Sequence, residues 1–446
     1  MTPLLTIWPD IEFDLENVDS NGLENQPNFK RWMVRLSCQL VSPSNLMVMH
    51  HRATQSVTLT RVGAGASTRD FMRVPHLTQG HDPYWIAPVS LFAGPLSFGE
   101  GPRLSPKVNP WFQHGEAALW VAERDGNLVG RISAQIDHDH LKIYRDDTGF
   151  FGFFECIDDQ SVADALFDAA FAWLRDKGMR RCVGPFSFNI NDEAGLLIDG
   201  FNCPPRMMMG HAQPCYQRLV ETAGFTKVVD MRAYLTPMDT ALPYKQLKWL
   251  RRGLERNPRL AVRTLDPSRY DEDIAAVIDI FRAGWTENWG SIPVTEAEAK
   301  HSAAEMKFIL IPELVSIATI DAKPVAMCLA LPDFNELIRD LKGRLFPFGW
   351  AKFLWRVLTR RSYVSGTRVL LMGVLPEYKN KPTGSLLALL TVGAVREASL
   401  KLRMPVCEMS WVLETNTQTC HSIEDIGGRI YKTYRMYELA LSRKSL

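Results

Sequence analysis

The alternation of hydrophobic and polar residues predicts a similar run of strands and helices in each half of the chain. In the first half, residues 116–137 form two strands joined by a turn at Asp125–Gly126. Residues 161–178 then place apolar side chains at helical spacing, and a short strand follows. In the second half, residues 314–333 form two strands that turn at Asp321–Ala322, and a buried strand, a helix and another strand follow.

The ends of the two runs also match. Residues 223–236 and residues 426–439 each place a glycine-containing turn after a helix and before an aromatic strand. A duplicated unit explains this order better than chance. We therefore predict an α+β fold made of two copies of one domain, residues 56–245 and residues 261–446, joined by a polar linker at residues 246–260.

The first 55 residues differ from the rest of the chain. They show neither helical nor strand periodicity, and they contain two further methionines, Met47 and Met49, at which translation could start. We predict an irregular N-terminal extension that the fold does not require.

Composition narrows the class of protein. The 446 residues, 46% of them hydrophobic, suffice for two packed domains. Lys plus Arg number 51 and Asp plus Glu number 50, so no overall positive charge favours nucleic acid. The eight cysteines lack metal-ligand spacing and a disulfide pattern, and no apolar run is long enough to span a bilayer. These features predict a cytoplasmic protein that binds neither nucleic acid nor metal.

A basic turn stands between a strand and a helix in the second half. Residues 373–385 read GVLPEYKNKPTGS, after the strand RVLLM and before the helical run LLALLTVGAVREA. Unpaired N–H groups at the start of a helix favour an anion, and Lys379 and Lys381 add two positive charges. The pattern is suited to a pyrophosphate. The alternative is an exposed turn that happens to carry lysines.

This segment resembles the pyrophosphate loop R/Q-x-x-G-x-G/A of the GNAT superfamily, the acyl-CoA-dependent N-acyltransferases. Lys379 stands at the Arg/Gln position and Gly384 at the second glycine, but Pro382 replaces the first glycine and has no N–H. In the first half, Asp158 and Asp159 occupy the equivalent turn and would repel phosphate, so the N-terminal copy is predicted to be degenerate. The resemblance implies acyl-CoA as co-substrate, bound by Val374, Leu375, Lys379, Lys381, Thr383, Gly384 and Ser385.

Longer segments resemble a two-domain group of GNAT proteins that includes bacterial ceramide synthases. They are GPFSFNINDEAGLLIDGF, WTENWGSIP, GRLFPFG, EMSWVLETN and GGRIYKTYRMY. The resemblance implies transfer of a fatty acyl group from a long-chain acyl-CoA to the amine of a sphingoid base, giving ceramide or 3-oxoceramide. Two alternatives remain: a GNAT enzyme acting on a small soluble amine or amino-acid conjugate, and a non-catalytic acyl-CoA-binding protein.

The same resemblance implies where the chemistry occurs. The thioester would lie at the end of the strand RVLLMGVL, where the N–H groups of Val374 and Leu375 would stabilise the oxyanion. A carboxylate must accept the proton of the amine, and Glu408 and Glu414 are the candidates. Either glutamate could instead be a solvated residue at a strand edge.

A proton donor for the departing thiolate is harder to assign. The position at which many GNAT proteins have tyrosine is Ile423 in this chain. Either the thiolate leaves unaided, or His421 or Tyr434 donates the proton. His421 could also be an ordinary surface histidine.

The acceptor amine is predicted to bind between the two halves. A polar loop follows the strand RRCVG in the first half, and the segment WTENW adds aromatic side chains from the second half. Core packing or turn formation could also account for these residues. The predicted substrate-binding residues are Asn189, Asn191, Glu193, Trp285, Asn288, Trp289 and Trp411.

Residues 343–361 predict an interfacial helix. They contain five basic residues and no acidic one. Lys352, Arg356 and Arg360 recur at intervals of four, and the opposite side is apolar, with Trp350, Phe353, Leu354, Val357 and Leu358. We predict that this segment binds the inner face of the membrane peripherally and lets the protein take a long-chain amine from it. The alternative is an amphipathic helix packed on the fold.

Overall fold

The computed structural model describes most of the chain after residue 55. Residues 56–446 form one compact unit. The predicted N-terminal extension lies outside the described residues. The described ranges are residues 56–89, 99–239, 244–286, 288–359 and 363–441.

The described residues contain thirteen strands and twelve α-helices, together with short 3-10 turns. The strands are β1 (Thr58–Arg61), β2 (Gly115–Arg124), β3 (Asn127–Asp137), β4 (Thr148–Cys156), β5 (Arg181–Gly184), β6 (Leu196–Asp199), β7 (Thr226–Pro237), β8 (Leu260–Thr264), β9 (Val315–Ile320), β10 (Lys323–Pro332), β11 (Gly366–Val374), β12 (Val406–Leu413) and β13 (Arg429–Ala440). The helices are α1 (Thr68–Thr78), α2 (Glu100–Arg103), α3 (His138–Tyr144), α4 (Gln160–Asp176), α5 (Cys215–Thr222), α6 (Tyr244–Arg256), α7 (Tyr270–Trp285), α8 (Glu296–Met306), α9 (Asn335–Ile338), α10 (Gly349–Leu358), α11 (Pro382–Lys401) and α12 (Thr417–Asp425).

The strands form one mixed sheet that confirms the predicted duplication. Its order is β1-β2-β3-β4-β5-β13-β7-β12-β11-β10-β9-β8, and β6 pairs with β13. The pairs β4–β5 and β11–β12 are parallel, and the other pairs are antiparallel. The element order β2-β3-β4-α4-β5-α5-β7 in the first half recurs as β9-β10-β11-α11-β12-α12-β13 in the second.

The two halves exchange their last strands. β13 from the second half pairs with β5 of the first half, with Tyr437 opposite Gly184. β7 from the first half pairs with β12 of the second half, with Leu235 opposite Glu408. The sheet is therefore continuous across the predicted boundary, and most of the predicted linker at residues 246–260 lies in the helix α6.

Each long helix covers the sheet of its own half with an apolar face. In the first half, Leu166 and Phe167 of α4 are buried beside Phe151 and Phe154 of β4. In the second half, α11 packs on β9, β10 and β11. Burial of a leucine or phenylalanine side chain contributes about 1.5 to 3 kcal/mol, so these contacts fix each helix against the strands.

Candidate active site

The strands β11 and β12 separate part of the way along their length. They pair only from Gly366–Val406 to Val369–Met409. Beyond this point β11 remains paired with β10 and β12 remains paired with β7, but β11 and β12 no longer pair with each other. The divergence leaves a gap in the sheet, which we call the β11–β12 gap, at the place where the sequence predicted the thioester.

The backbone of β11 directs polar groups into the β11–β12 gap. Leu375 N–H donates to Val325 O at 2.9 Å, so this N–H is occupied on the β10 side. Hydrogen-bonding groups alternate in direction along an antiparallel strand, so the N–H of Val374 points toward the gap. The prediction that the N–H groups of Val374 and Leu375 both stabilise the oxyanion is therefore wrong for Leu375. The geometry favours the N–H of Val374 as the donor.

Two tryptophans stand at the β11–β12 gap. The indole Nε1 of Trp285, the last residue of α7, donates to Met372 O at 2.9 Å. Its ring meets the ring of Trp411 edge-on, with the centroids 5.8 Å apart. The structure thus brings together two of the predicted substrate-binding residues, at the point where the strands diverge.

A buried polar cluster surrounds Glu408 on β12. The hydroxyl groups of Ser410 and Tyr431 donate to its carboxylate, and Arg368 Nε lies 3.6 Å from its Oε1. Arg368 also donates to Met207 O at 2.7 Å. Burial raises the pKa of Glu408 and the charge of Arg368 opposes the rise. A carboxylate whose pKa lies above its usual range is better suited to accept a proton near neutral pH.

Three members of this cluster were not predicted from the sequence. Ser410 lies two residues from Glu408 on one strand, so strand periodicity could have indicated that the two share a face. Arg368 and Tyr431 lie on β11 and β13, and only the pairing of strands brings them to Glu408. No sequence signal marks them.

The other residues predicted to transfer protons lie in different surroundings. Glu414 forms an ion pair with Lys227 at 2.8 Å and accepts a hydrogen bond from Asp230 N. Tyr434 is fully buried and donates to Gly210 O at 3.1 Å, and burial raises its pKa well above the usual range. His421 is exposed on α12. The contacts of Glu414 favour Glu408 as the proton acceptor.

The predicted pyrophosphate turn uses many of its own N–H groups. Lys379 N donates to Pro376 O, Lys381 N to Tyr378 O and Gly384 N to Lys381 O. Pro382, the first residue of α11, has no N–H. Thr383 and Ser385 lie in the first turn of α11, and Ser385 N also donates to the Lys381 carbonyl. A phosphate at this turn therefore meets few free backbone donors and depends on the lysines.

Gly384 allows the turn to close. A Cβ added at this residue would lie 2.2 Å from Tyr378 O, which is far inside van der Waals contact. Glycine is thus required here by the close approach of two backbone segments.

The equivalent turn in the first half holds carboxylates. Asp159 is the N-cap of α4, and its side chain accepts from Ser161 N. Hydrogen bonds from Arg124 and Ser161 lower the pKa of Asp159 to about 2, and Arg218 pairs with Asp158. Charged carboxylates already occupy the start of the helix, which favours the predicted loss of cofactor binding in this copy.

A cavity of about 450 Å³ lies between the two halves. Three predicted substrate-binding residues, Asn189, Asn288 and Trp289, line it. Thr286, which follows Trp285 directly in the sequence, also lines it. The lining is apolar at Phe150, Val183, Phe186, Phe188, Ile190 and Ile292, and polar at His140, Asp146 and Arg181.

The remaining predicted residues of the polar loop brace the cavity wall or lie elsewhere. Asn191 Nδ2 donates to Ile292 O at 3.3 Å, which holds the second half against the first. Glu193 lies 3.7 Å from Arg103 in an ion pair. These two side chains therefore have structural contacts. Asn189 lines the cavity, and its Nδ2 also donates to Glu298 Oε1 at 3.4 Å.

A buried histidine links the two halves beside the cavity. His114 Nδ1 lies 3.2 Å from Asp137 Oδ1, and Nε2 lies 3.3 Å from Glu298 Oε1 on α8. Hydrogen bonds that the imidazole donates to Asp137 and then to Glu298 raise the pKa of His114 to about 10. The imidazole is thus a cation between two carboxylates from opposite halves.

The helix α10 exposes apolar side chains. Phe346 and Phe348, just before the helix, are 76% and 80% exposed. Trp355 and Leu358 are 61% and 71% exposed. We call these residues, together with Trp350 and Leu354, the apolar surface.

The charges of α10 differ from the prediction. Lys352 Nζ lies 2.5 Å from Asp340 Oδ2, and Arg356 donates to the same carboxylate at 3.0 Å. Phe353 and Val357 pack against the core instead of facing outward. The predicted row of outward cations is therefore wrong for Arg356, whose side chain is only 15% exposed. Lys352 is exposed as predicted, but Asp340 neutralises part of its charge. Arg360 lies outside the described residues.

Two features are absent from the described residues. No helix among them is long and apolar enough to cross a membrane. Within the same part of the chain, no group of His, Cys, Asp or Glu side chains could hold a metal ion.

The paired halves and the gap in the second half give the chain a tandem GNAT-type fold. No family model matches the chain. The bacterial ceramide synthase of Caulobacter vibrioides is 38% identical over 381 residues, covering 84% of this chain and 95% of that protein. Protein YghO of Escherichia coli strain K12 is 40% identical over 368 residues, covering 82% of this chain and 91% of YghO. The chain belongs to the family of these two proteins.

Solved structures similar to the chain include a tandem GNAT protein from the clavulanic acid biosynthesis pathway, at a TM-score of 0.48 and 11% identity. The match covers 87% of this chain and 100% of that protein. A GCN5-related N-acetyltransferase from Sphaerobacter thermophilus matches at a TM-score of 0.41 and 12% identity, over 73% of this chain and 81% of that one.

Proposed function

We propose that the protein transfers a fatty acyl group from a long-chain acyl-CoA to the primary amine of a sphingoid base, producing ceramide or 3-oxoceramide. The relative from Caulobacter vibrioides carries the name of this activity. The structural observation that carries the proposal is the apolar surface around α10, because a long-chain amine resides in a membrane and a small soluble amine does not.

The residues at the β11–β12 gap support this chemistry. Lys379, Lys381 and Thr383 bind the pyrophosphate, and Val374 N–H donates to the thioester oxygen as negative charge develops there. The amine nitrogen bonds to the carbonyl carbon and the C–S bond breaks. Glu408 accepts the proton of the amine through its cluster, and the thiolate leaves without a donor because its thiol has a pKa of about 8.5.

The cavity is the proposed site of the acceptor. Asn189 and Asn288 offer hydrogen bonds to a polar amino-alcohol head, and Trp289 forms an apolar wall. Thr286, the neighbour of Trp285 in the sequence, lines the cavity, and the proposal directs the amine of the acceptor toward the β11–β12 gap. In this arrangement the first half serves as a substrate wall.

The apolar surface is the proposed membrane contact, which would make the protein peripheral on the inner face of the membrane. Aromatic and aliphatic side chains would enter the boundary between head groups and acyl chains. In this proposal the apolar residues make the larger share of the contact, since Lys352 and Arg356 are paired with Asp340.

Mass spectrometry of products tests the proposed reaction. The purified protein is incubated with palmitoyl-CoA and a panel of sphingoid bases, short-chain amines and amino acids. We expect N-acylated sphingoid bases, and we expect none from a Glu408→Gln control. Products formed only from small amines would favour the small-amine alternative, and binding of acyl-CoA without any product would favour a non-catalytic protein.

Flotation with vesicles tests the membrane contact. We expect a variant with Trp350→Ser, Leu354→Ser and Leu358→Ser to bind vesicles at least tenfold more weakly, because a buried apolar side chain contributes about 1.5 to 3 kcal/mol. A matched control replaces Leu77, Ile143 and Phe308, which are exposed elsewhere, by serine. Equal flotation of the two variants would contradict the membrane contact.

Charge reversal tests the pyrophosphate turn. We expect Lys379→Glu together with Lys381→Glu to raise the KM for acyl-CoA at least tenfold, since each charge-assisted contact contributes about 1.5 to 3 kcal/mol. An unchanged KM would mean that the co-substrate binds elsewhere.

A further inference from the structure

A loop of the first half contacts the buried polar cluster around Glu408. It lies between β6 and α5, and we call it the 200–211 loop. Two residues of the second half hold it in place. Lys432 of β13 donates to two carbonyl groups near the start of the loop, at 2.5 and 2.7 Å. Tyr434 of the same strand donates to a carbonyl group near its end, at 3.1 Å. The loop is therefore fixed against the second half.

The peptide groups of Met207 join the 200–211 loop to the cluster. Arg368 Nη1 donates to Met207 O at 2.7 Å, and Met207 N donates to Asp333 Oδ1 at 3.0 Å. Arg368 Nε in turn donates to Ser410 Oγ at 2.8 Å and lies 3.6 Å from Glu408 Oε1. The position of this guanidinium therefore depends on Met207 and Asp333.

Arg206, in the same loop, is an ion-pair partner of Asp333. Its Nη1 donates to Asp333 Oδ2 at 2.8 Å and to Glu336 Oε1 at 2.6 Å. The side chain of Asp333 is only 4% exposed, so its charge requires a partner nearby. Arg206 reaches it beside β11, where a Cβ added at Gly366 would lie 2.3 Å from Arg206 Nη1. The glycine thus leaves space in the second half for a side chain of the first half.

Charged groups act on Glu408 from several elements. Burial raises the pKa of Glu408 most, and Arg368 and the hydrogen bond from Ser410 oppose the rise. Asp333 adds to the rise, and Arg206 opposes it. The titratable groups on β12 and β13 that also act on Glu408 are Cys407, Tyr431, Lys432 and Tyr434. Loss of Arg206 would leave the charge of Asp333 unopposed and move the protonation of Glu408 to higher pH.

We propose that Arg206 is a positioning residue for the general base Glu408. By pairing with Asp333 it keeps Met207 in place, and the carbonyl group of Met207 holds the guanidinium of Arg368 beside the base. The inference rests on the proposed function, in which Glu408 accepts the proton of the amine. The first half then contributes a cation to the active site of the second half, in addition to a wall of the acceptor cavity.

The pH dependence of kcat tests the proposal, with palmitoyl-CoA and sphinganine as substrates of the full chain. We expect Arg206→Gln to raise the pH at which kcat is half its plateau by about 0.5 or more, because the charge of Asp333 is then unopposed. The KM for palmitoyl-CoA should stay unchanged, since the pyrophosphate turn is not altered. Asp333→Asn should lower the half-plateau pH, because it removes a charge that raises the pKa of Glu408. The double variant should return it close to the unaltered value.

Two further variants separate this role from a contribution to folding. Arg206→Lys keeps the positive charge and should keep the half-plateau pH. The matched control is Arg263→Gln, because Arg263 also pairs with a buried carboxylate of the second half, that of Asp273, at 2.6 and 2.7 Å. This control should lower the melting temperature without moving the half-plateau pH. Circular dichroism of each variant verifies folding.

Infrared spectroscopy follows Glu408 without turnover. The carboxyl band that is present in the unaltered protein and absent from Glu408→Gln reports the protonation of this residue across a pH series. Its midpoint should move as the half-plateau pH of kcat does, upward in Arg206→Gln and downward in Asp333→Asn.

The outcomes separate this inference from the proposed function. Absence of N-acylated product from the unaltered protein with every sphingoid base would overturn the function, and the infrared midpoints would still decide the role of Arg206. The same midpoints in Arg206→Gln and the unaltered protein would overturn that role and leave the function standing. If Arg206→Gln does not fold, an unmoved midpoint in Asp333→Asn overturns it instead.

Discussion

The cation formed by His114 between Asp137 and Glu298 predicts a specific dependence of stability on pH. The pKa of His114 is raised to about 10 in the folded protein, from an ordinary value of 6.5. A raised histidine pKa contributes stability that is fully present below pH 6.5 and is lost as the pH rises toward 10. The protein should therefore become less stable through this window, as the link between the two halves loses its charge.

The size of the effect follows from the shift. A difference of 3.5 between the two pKa values, at about 1.36 kcal/mol for each unit, corresponds to about 5 kcal/mol. Between pH 6 and pH 9.5, about 4 kcal/mol of this would be lost. The side chain is only 9% exposed, so solvent screens it little. The lowered pKa values of Asp137 and Glu298 arise from the same interaction with His114, so they contribute no further stability beyond these 5 kcal/mol.

Urea unfolding at a series of pH values, with and without His114→Gln, measures this contribution. The variant should be about 3 to 5 kcal/mol less stable at pH 6, because two buried carboxylates lose their partner. Other groups also titrate between pH 6 and pH 9.5, so the decisive quantity is the difference between the two proteins, which should shrink toward pH 9.5. A constant difference across the window would show that His114 is not a buried cation.

Three further predictions concern the site and the chain start. Gly384→Ala should weaken CoA binding at least tenfold in titration calorimetry, because an added Cβ would lie 2.2 Å from a backbone carbonyl oxygen. Gly393→Ala on the same helix is the control, since its Cβ would meet open space and binding should not change. Glu408→Gln should lower kcat at least a hundredfold, as expected for loss of a general base, while Glu414→Gln should change kcat less than fivefold; equal losses would contradict the assignment. A chain that starts at Met47 should retain its melting temperature and activity, and loss of either would show that the N-terminal extension is required.

Local patterns in the sequence predicted most of the elements. The turns at Asp125–Gly126 and Asp321–Ala322 have the positive φ angles that such tight connections need, and the strands around them alternate as predicted. The helical run predicted after the basic turn is observed as α11, from Pro382 to Lys401. These features depend on the residue types within a few positions of each other, so periodicity and turn composition were sufficient to predict them.

The candidate site was predicted only in part. The turn with Lys379, Lys381 and Gly384 was recognisable because it is contiguous in the sequence. Glu408 was identifiable because it lies on a strand that had to diverge from its neighbour. Its partner Tyr431 lies 23 residues further along the chain and reaches it through a different strand, which no local pattern reveals.

Tertiary structure alone decided how the halves join and where charge is cancelled. The sequence shows two copies of a unit, but only strand pairing shows that β13 enters the first half and β7 the second. The sequence also presents Lys352 and Arg356 as a basic row, whereas in the fold both meet Asp340. Pairing between distant residues depends on which surfaces are buried together when the chain closes its long loops. A repeating local pattern of residue types does not specify which surfaces these are.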